Sequence, residues 1–240
     1  MTHSFSREYF LNKFKQEGIR NSKFLNFPMD NASELLELVE SHPNLLGLNV
    51  TIPFKEKVIP FLDEIHPEAR EIGAVNTIKI TRERSVIRMT GYNTDAFGFK
   101  SSLLSEWKAK KYMKALVLGS GGASKAVNFV LNKLGLEVYV VSRTRNDEGY
   151  LSYSDLTESF MNEIHLVVNT TPLGMFPKTE KLPPIPYQFL GSNHILFDLI
   201  YNPSKTLFLA KGEERGTMII NGLKMLHEQA EESWSIWSNG

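Results

Sequence analysis

The sequence has no cysteine among its 240 residues, so a disulfide framework and a thiolate metal site are excluded. It has no excess charge of either sign, since 27 Lys and Arg residues balance 27 Asp and Glu residues, and neither a nucleic-acid surface nor an acidic tail is indicated. No apolar run reaches the roughly 18 residues of a membrane span, and the amino end, MTHSFSREYF, has no signal-peptide pattern. The six histidines have no metal-ligand spacing. These absences predict a cytoplasmic protein with no metal, nucleic-acid or membrane partner.

Apolar segments with strand and helix periodicity alternate along the chain. Helices are predicted in SREYFLNKFKQEG, NASELLELVESH, TDAFGFKSSLLSEW and SKAVNFVLNKLG, in a segment from Ser204, and from Gly222 to Trp237. Strands are predicted in KFLNF, LLGLNVT, AVNTIKI, SVIRMTGY, KALVLG, EVYVVS, HLVVNTT, HILFDLI and TMII. The short TRER segment between AVNTIKI and SVIRMTGY predicts a hairpin. The alternation predicts an α/β protein with parallel sheets covered by helices.

A glycine-rich turn between a predicted strand and a predicted helix is the clearest local signal. KALVLGSGGASKAVNF places Gly119, Gly121 and Gly122 at this turn, and Ser124 stands where the usual fingerprint has its third glycine. Glycines let the backbone approach a pyrophosphate, and the helix N-terminus offers free N–H groups and a positive dipole end. The turn therefore predicts a dinucleotide site.

The end of the following strand indicates which dinucleotide is bound. An NAD site usually carries an acidic residue about 20 residues after the glycine turn, where it binds the ribose 2′-hydroxyl. This chain has Ser142, Arg143, Thr144 and Arg145 there. An arginine attracts a 2′-phosphate that a carboxylate would repel. We therefore predict NADP as the cofactor.

The segment NVTIPFKEKV, from Asn49 to Val58, directs a lysine out of a predicted strand at a proline corner. Lys55 taken alone has two interpretations, a solvated surface side chain or an amine that points at a ligand. Reduction of a ketone needs a hydride from the cofactor and a proton from the protein, and a lysine beside a carboxylate can supply that proton.

Several motifs together resemble the shikimate/quinate dehydrogenase family across nearly the whole chain. They are HSFS, NVTIPFKE, GAVNT, GYNTD, GSGGASKA, SRT, VVNTTPLGM, DLIYNP and NGLKMLHEQA, in the family's order. The resemblance implies reversible NADPH-dependent reduction of 3-dehydroshikimate to shikimate.

The resemblance also implies roles for individual residues. Lys55 and Asp95 match the family's catalytic pair. Substrate contacts are matched by Ser4, Ser6, Thr51, Asn76, Tyr201 and Gln229. Cofactor contacts are matched by Gly119, Ser120, Gly121, Gly122, Ala123, Ser142, Arg143, Thr144, Leu199, Gly222 and Met225. Asp147 stands where the family usually has a second basic residue.

The fold that the resemblance implies has two α/β domains with the active site in the cleft between them. Residues 1–98 and 222–240 would form a substrate domain with a mainly parallel sheet, and residues 99–221 a Rossmann-like NADP-binding domain. Family members carry a strand and a Gly-x-Pro segment before HSFS, and here only two residues precede His3. We therefore expect the native product to hold one more strand, without which the neighbouring strands would have unpaired edges.

Three functions stay open on the sequence. The first is NADP-dependent shikimate dehydrogenase, working as a monomer or homodimer on a small molecule. The second is a dehydrogenase of the same family that accepts quinate or uses NAD. The third is a non-catalytic NADP-binding regulator, against which the presence of both Lys55 and Asp95 argues.

Overall fold

The computed structural model describes residues 5–84, 86–107, 113–143 and 149–239. The chain divides into two compact units, Met1–Asn44 and Leu45–Gly240. The predicted division into 1–98 with 222–240 and 99–221 stays a prediction. None of the described helices is long and apolar enough to cross a membrane.

The described part of the first unit contains two helices, α1 (Phe5–Gln16) and α2 (Glu34–Ser41). Phe10 of α1 is fully buried and stacks on Phe24 with ring centroids 4.8 Å apart. The predicted strand KFLNF is wrong, because residues 23–27 form no regular structure. A strand needs a pairing partner, and the described part of this unit offers no second strand.

A four-stranded sheet begins the second unit. Its strands are β1 (Gly47–Asn49), β2 (Glu64–Ile65), β3 (Thr77–Glu83) and β4 (Val86–Tyr92), in the order β1-β3-β4-β2. The predicted hairpin is confirmed as the antiparallel pair β3–β4. The expectation of a mainly parallel sheet is wrong for these strands, because β1 also runs antiparallel to β3 and only β2–β4 is parallel. Strands joined by a tight turn must pair in opposite directions.

A six-stranded sheet follows, and all of its described pairs are parallel. Its strands are β5 (Lys114–Leu118), β6 (Glu137–Val141), β7 (Tyr150–Leu151), β8 (Ile164–Asn169), β9 (Ile195–Asp198) and β10 (Met218–Ile220). The order β7-β6-β5-β8-β9-β10 reads 3-2-1-4-5-6 along the chain, which is the doubly wound dinucleotide-binding order. The predicted Rossmann-like arrangement is confirmed.

The core strand β5 shows why this sheet forms. Residues 115–118 are fully buried, and such a continuous apolar run is typical of a parallel strand covered on both faces. The strand order reverses between β5 and β8, and ligands of such sheets bind beyond the carboxyl ends of the strands at this point. We therefore expect a ligand to bind beside the residues that follow β5 and β8.

Six helices in the described residues accompany the two sheets. They are α3 (Pro67–Ile72), α4 (Thr94–Glu106), α5 (Gly122–Lys133), α6 (Glu158–Glu163), α7 (Leu207–Glu213) and α8 (Leu223–Ser238). The helix predicted from Ser204 begins three residues later, because the Thr206 side chain caps it by accepting the Leu209 N–H.

Candidate active site

Lys55 lies in a turn after β1 that two backbone hydrogen bonds tie to the start of β3. The Lys55 carbonyl accepts the Val75 N–H at 2.8 Å, and the Val50 N–H donates to the Asn76 carbonyl at 2.7 Å. These bonds flank Lys55 and Asn76, so the backbone fixes the two side chains relative to each other.

The Lys55 ammonium donates to the carboxylate of Asp95, with Nζ and Oδ2 2.6 Å apart. Both side chains are largely shielded from water, with 14% and 4% of their surface exposed. Asp95 lies in the first turn of α4, where the helix dipole favours a negative charge. The Asn93 side chain caps this helix by accepting the Ala96 N–H. The result is a fixed pair of a proton donor and a carboxylate.

Asn76 and Gln229 complete a hydrogen-bonded cluster with this pair. Asn76 Nδ2 donates to Asp95 Oδ1 at 2.9 Å and lies 3.4 Å from Gln229 Oε1. Asn76 and Gln229 are 153 positions apart in sequence, and helix α8 brings Gln229 to the cluster. The structure thus places four of the predicted residues together, and their amides can donate and accept toward a hydroxylated substrate.

The predicted glycine turn follows β5 and adjoins Lys55. Gly119 has a positive φ of 109°, and a Cβ there would lie 2.8 Å from Thr170 Oγ1, so only glycine suits this position. Helix α5 begins at Gly122, where a Cβ would lie 3.4 Å from Lys55 Cβ. The first N–H groups of a helix have no intrahelical acceptor, and they can bind a pyrophosphate. The turn therefore fits the pyrophosphate of a dinucleotide, and it lies next to Lys55.

The end of β6 fits the NADP prediction. Ser142 is buried, with its hydroxyl 3.2 Å from that of Ser120 in the glycine turn, and Arg143 beside it is exposed. Ser124, in the place of the third fingerprint glycine, lies in α5 and is 1% exposed. An exposed guanidinium one residue beyond a small neutral side chain is suited to a 2′-phosphate.

Four further predicted residues lie on the segment after β9 or at the start of α8. The Gly222 N–H donates to the Ile200 carbonyl at 3.1 Å, and a Cβ at Gly222 would lie only 2.0 Å from the Leu199 carbonyl oxygen. Met225 is buried in the first turn of α8. Tyr201 is half-buried, and this burial raises the pKa of its hydroxyl. Leu199, Gly222 and Met225 therefore lie on two directly contacting segments.

The other predicted residues lie outside the described residues, in the first unit or in the turn before Lys55. Ser4 and Thr144 lie outside the described residues, as do Arg145 and Asp147. Ser6 belongs to the first unit, in the first turn of α1. Thr51 is exposed in the turn that leads to Lys55.

Asp198 is a buried carboxylate at the end of β9 that the sequence reasoning missed. It is fully buried and accepts hydrogen bonds from Asn169 Nδ2 at 3.0 Å, the Ile200 N–H at 3.1 Å and Thr206 Oγ1 at 2.5 Å. Burial raises the pKa of Asp198 from 3.8 to about 7, although these three hydrogen bonds lower it. The signal in the sequence was an acidic residue inside the apolar segment HILFDLI. Asp198 fixes the direction in which the chain leaves β9 toward Leu199 and Tyr201.

We expect Asp198→Asn to change how stability depends on pH. The folded protein holds the Asp198 proton up to about pH 7, whereas the unfolded chain releases it near 3.8. Folding therefore takes up a proton between these values, and the free energy of unfolding falls as the pH rises through this range. The difference corresponds to at most about 4 kcal/mol. Denaturant unfolding from pH 4 to 8 should show a smaller decline in the variant.

Asp155→Asn provides a control of opposite sign. Asp155 is exposed, and hydrogen bonds from Ser152 lower the pKa of its carboxyl. Its contribution to the free energy of unfolding is therefore present above the pKa that the carboxyl has in the unfolded chain, and it is lost as the pH falls. If the free energy of unfolding of Asp198→Asn declines between pH 4 and 7 as steeply as that of the wild type, Asp198 does not hold its proton in the folded state.

The strand order, the glycine turn and the Lys55–Asp95 pair define the class of this chain, a dinucleotide-binding α/β protein with an acid–base pair beside its cofactor loop. Residues 1–78 match the model of the shikimate dehydrogenase substrate binding domain. The chain is 39% identical over 234 residues to a shikimate dehydrogenase (NADP(+)) of Carboxydothermus hydrogenoformans, which covers 91% of this chain and 82% of the relative.

Two solved structures have the same architecture. A shikimate dehydrogenase in complex with NADP+ matches with a TM-score of 0.86 and 30% identity, over 99% of this chain and 86% of that one. The enzyme from Thermus thermophilus in complex with NADP(H) and shikimate matches with a TM-score of 0.82 and 32% identity, over 99% and 90%. The chain belongs to the shikimate dehydrogenase family, and the resemblance in the sequence is confirmed.

Proposed function

We propose that this chain is an NADP-dependent shikimate dehydrogenase that reversibly reduces 3-dehydroshikimate to shikimate, on the route to aromatic amino acids. The observation that carries the proposal is the Lys55–Asp95 ion pair lying against Gly122 at the start of the cofactor helix. This contact brings a proton donor next to the segment that would hold a nicotinamide dinucleotide. We place the reaction in the cytoplasm, in a monomer or homodimer, as the sequence predicts.

NADPH, when bound, would supply the hydride for the carbonyl carbon. Lys55 Nζ–H would donate the proton to the carbonyl oxygen, and in the reverse direction the neutral amine would take the proton from the hydroxyl. Asp95 accepts a hydrogen bond from this ammonium and orients it. Proton transfer between positioned groups typically accelerates a reaction by about 10²–10⁴-fold.

The remaining predicted residues divide between the two ligands. Asn76 and Gln229 would bind ring hydroxyls with their amides, assisted by Thr51 and Tyr201, and Ser4 and Ser6 would bind the carboxylate. Gly119, Ser120, Gly121, Gly122 and Ala123 would hold the pyrophosphate at the start of α5. Ser142, Arg143 and Thr144 would hold the 2′-phosphate, and Leu199, Gly222 and Met225 would contact the nicotinamide end.

The test is a steady-state assay at the absorbance band of the reduced nicotinamide, with shikimate or quinate crossed with NADP or NAD. We expect the highest kcat/KM with shikimate and NADP, and a kcat at least about 100-fold lower in Lys55→Ala under the same conditions. A higher kcat/KM with quinate or with NAD would select the related dehydrogenase instead. Binding of NADP without turnover of either substrate would identify a regulator.

We expect Arg143→Ala to weaken NADP binding far more than NAD binding. Loss of a charge-assisted hydrogen bond to the 2′-phosphate costs about 1.5–3 kcal/mol, which corresponds to a Kd for NADP about 10- to 150-fold higher. Titration calorimetry with both cofactors measures the ratio. Arg88→Ala is the matched control, since Arg88 is an arginine on β4 whose side chain is 61% exposed. If Arg143→Ala weakens the binding of NADP and NAD equally, Arg143 does not bind the 2′-phosphate.

A further inference from the structure

Three hydroxyl groups with no predicted role lie directly behind Asn76. They belong to Thr77 of β3, Thr94 of α4 and Ser233 of α8, and all three residues are at most 1% exposed. Ser233 Oγ lies 2.9 Å from Thr77 Oγ1 and 3.2 Å from Thr94 Oγ1, and the two threonine hydroxyls are 3.2 Å apart. The group therefore links one strand and two helices at the base of the candidate active site.

The direction of the hydrogen bonds in this group follows from counting protons. A hydroxyl has one proton to donate, and Ser233 donates its proton to the Gln229 carbonyl at 2.8 Å. Ser233 Oγ can then only accept from the two threonines. Thr94 donates its own proton to Ser233 Oγ, Asn76 Oδ1 or Thr77 Oγ1, each at 3.2 Å. In each case Thr94 Oγ1 is left as an acceptor for Asn76 Nδ2 at 3.0 Å.

These contacts allow the Asn76 amide only one orientation. Its Oδ1 accepts the Thr94 N–H at 2.7 Å, so its Nδ2 must face Thr94 Oγ1 and Asp95 Oδ1. The reversed amide would place two donors together and an oxygen against the carboxylate. With Oδ1 of Asp95 held by Asn76, its Oδ2 is directed at Lys55 Nζ. The chain of contacts thus runs from helix α8 to the proton donor.

We propose that Thr94, supported by Ser233 and Thr77, is a positioning residue for catalysis. Its backbone N–H and its hydroxyl together hold the Asn76 amide, and through that amide the carboxylate of Asp95, in the orientation that accepts the hydrogen bond from Lys55. The inference rests on the proposed function. If the role were purely structural, removal of the Thr94 hydroxyl would lower only the stability of the protein. If Thr94 is a positioning residue, the removal also changes the surroundings of the Lys55 ammonium.

Thr94→Val is the discriminating variant, because valine has nearly the same shape, keeps the backbone N–H and removes only the hydroxyl. Asn76 Nδ2 then loses an acceptor in a buried place. We expect kcat for shikimate oxidation with NADP to fall about 10-fold, with the Kd for NADP within about twofold of the wild type and a displaced pH profile of kcat. Thr94→Ser retains the hydroxyl and should restore most of the rate.

Ser102→Ala is the matched control. Ser102 lies on the same helix and is fully buried, and its hydroxyl has no hydrogen-bond partner among the described residues. Its removal should leave kcat and the pH profile unchanged. If Thr94→Val does not fold, Ser233→Ala tests the same chain of contacts by the same criteria.

A spectroscopic readout separates this inference from the proposed function. In protein labelled with ¹⁵N-lysine, the Lys55 side-chain resonance is assigned by its loss in Lys55→Ala. We expect Thr94→Val to shift this resonance without any substrate present, and Thr94→Ser and Ser102→Ala to leave it in place. The measurement decides the matter even if the wild type turns over neither shikimate nor quinate. An unshifted resonance in Thr94→Val, or a kcat loss shared by Ser102→Ala, would overturn the assignment.

Discussion

Replacement of Lys55 by alanine should lower kcat by about 10²–10⁴-fold and leave KM for shikimate little changed. A proton donor acts mainly in the transition state, so its removal affects turnover much more than ground-state binding. The geometry supports this division, since Lys55 Nζ is held by Asp95 while Asn76 and Gln229 carry the neutral hydrogen-bonding groups of the cluster. Steady-state kinetics with shikimate and NADP measure both constants.

Lys57→Ala is the control for this result. Lys57 is an exposed lysine two residues further along the same turn, so its removal changes the charge without touching the cluster. We expect wild-type kinetics from it. A Lys55→Ala enzyme with unchanged kcat and a raised KM would show that Lys55 only binds substrate.

Local sequence patterns predicted the parts of the site that each depend on one segment. The glycine turn was predicted from its place between the strand KALVLG and the following helix, and the structure has Gly119 at a positive φ there. Lys55 was singled out by the corner TIPF, whereas Asp95 was predicted only through the family resemblance. Such features can be predicted because a turn or a helix start is determined by residues that are adjacent in sequence.

Contacts between distant segments were outside the reach of such patterns. A buried Thr77 or Ser233 looks like any polar residue of a strand or a helix until folding brings the two hydroxyls within 2.9 Å, 156 positions apart in sequence. Asp198 was missed because its partners Asn169 and Thr206 come from other segments. The mixed first sheet was missed for a similar reason, since strand direction depends on which strands become neighbours.

Gly222→Ala should be strongly destabilising and should weaken NADP binding. Its backbone, with φ −77° and ψ 0°, is open to any residue, so the effect comes only from the added methyl group. That group would lie 2.0 Å from the oxygen and 2.5 Å from the carbon of the Leu199 carbonyl. Both atoms are backbone atoms at the end of β9, so a side-chain rotation cannot relieve the contact. We expect a loss of roughly 3 kcal/mol, at the upper end of overpacking, and a melting temperature lower by about 6–12 °C.

Gly191→Ala separates this contact from the general effect of replacing glycine. Gly191 also has no positive φ, and nothing lies within 4 Å of an added Cβ there. It should keep or gain stability by less than about 1 kcal/mol, because alanine restricts the unfolded chain. Thermal unfolding and NADP titration of both variants measure the outcome. Since Leu199 and Gly222 contact each other directly, the separation that the methyl group forces should displace both predicted cofactor contacts, and the Kd for NADP should rise with the loss of stability. If Gly222→Ala has the melting temperature and the NADP affinity of the wild type, the end of β9 and the start of α8 do not need this close approach.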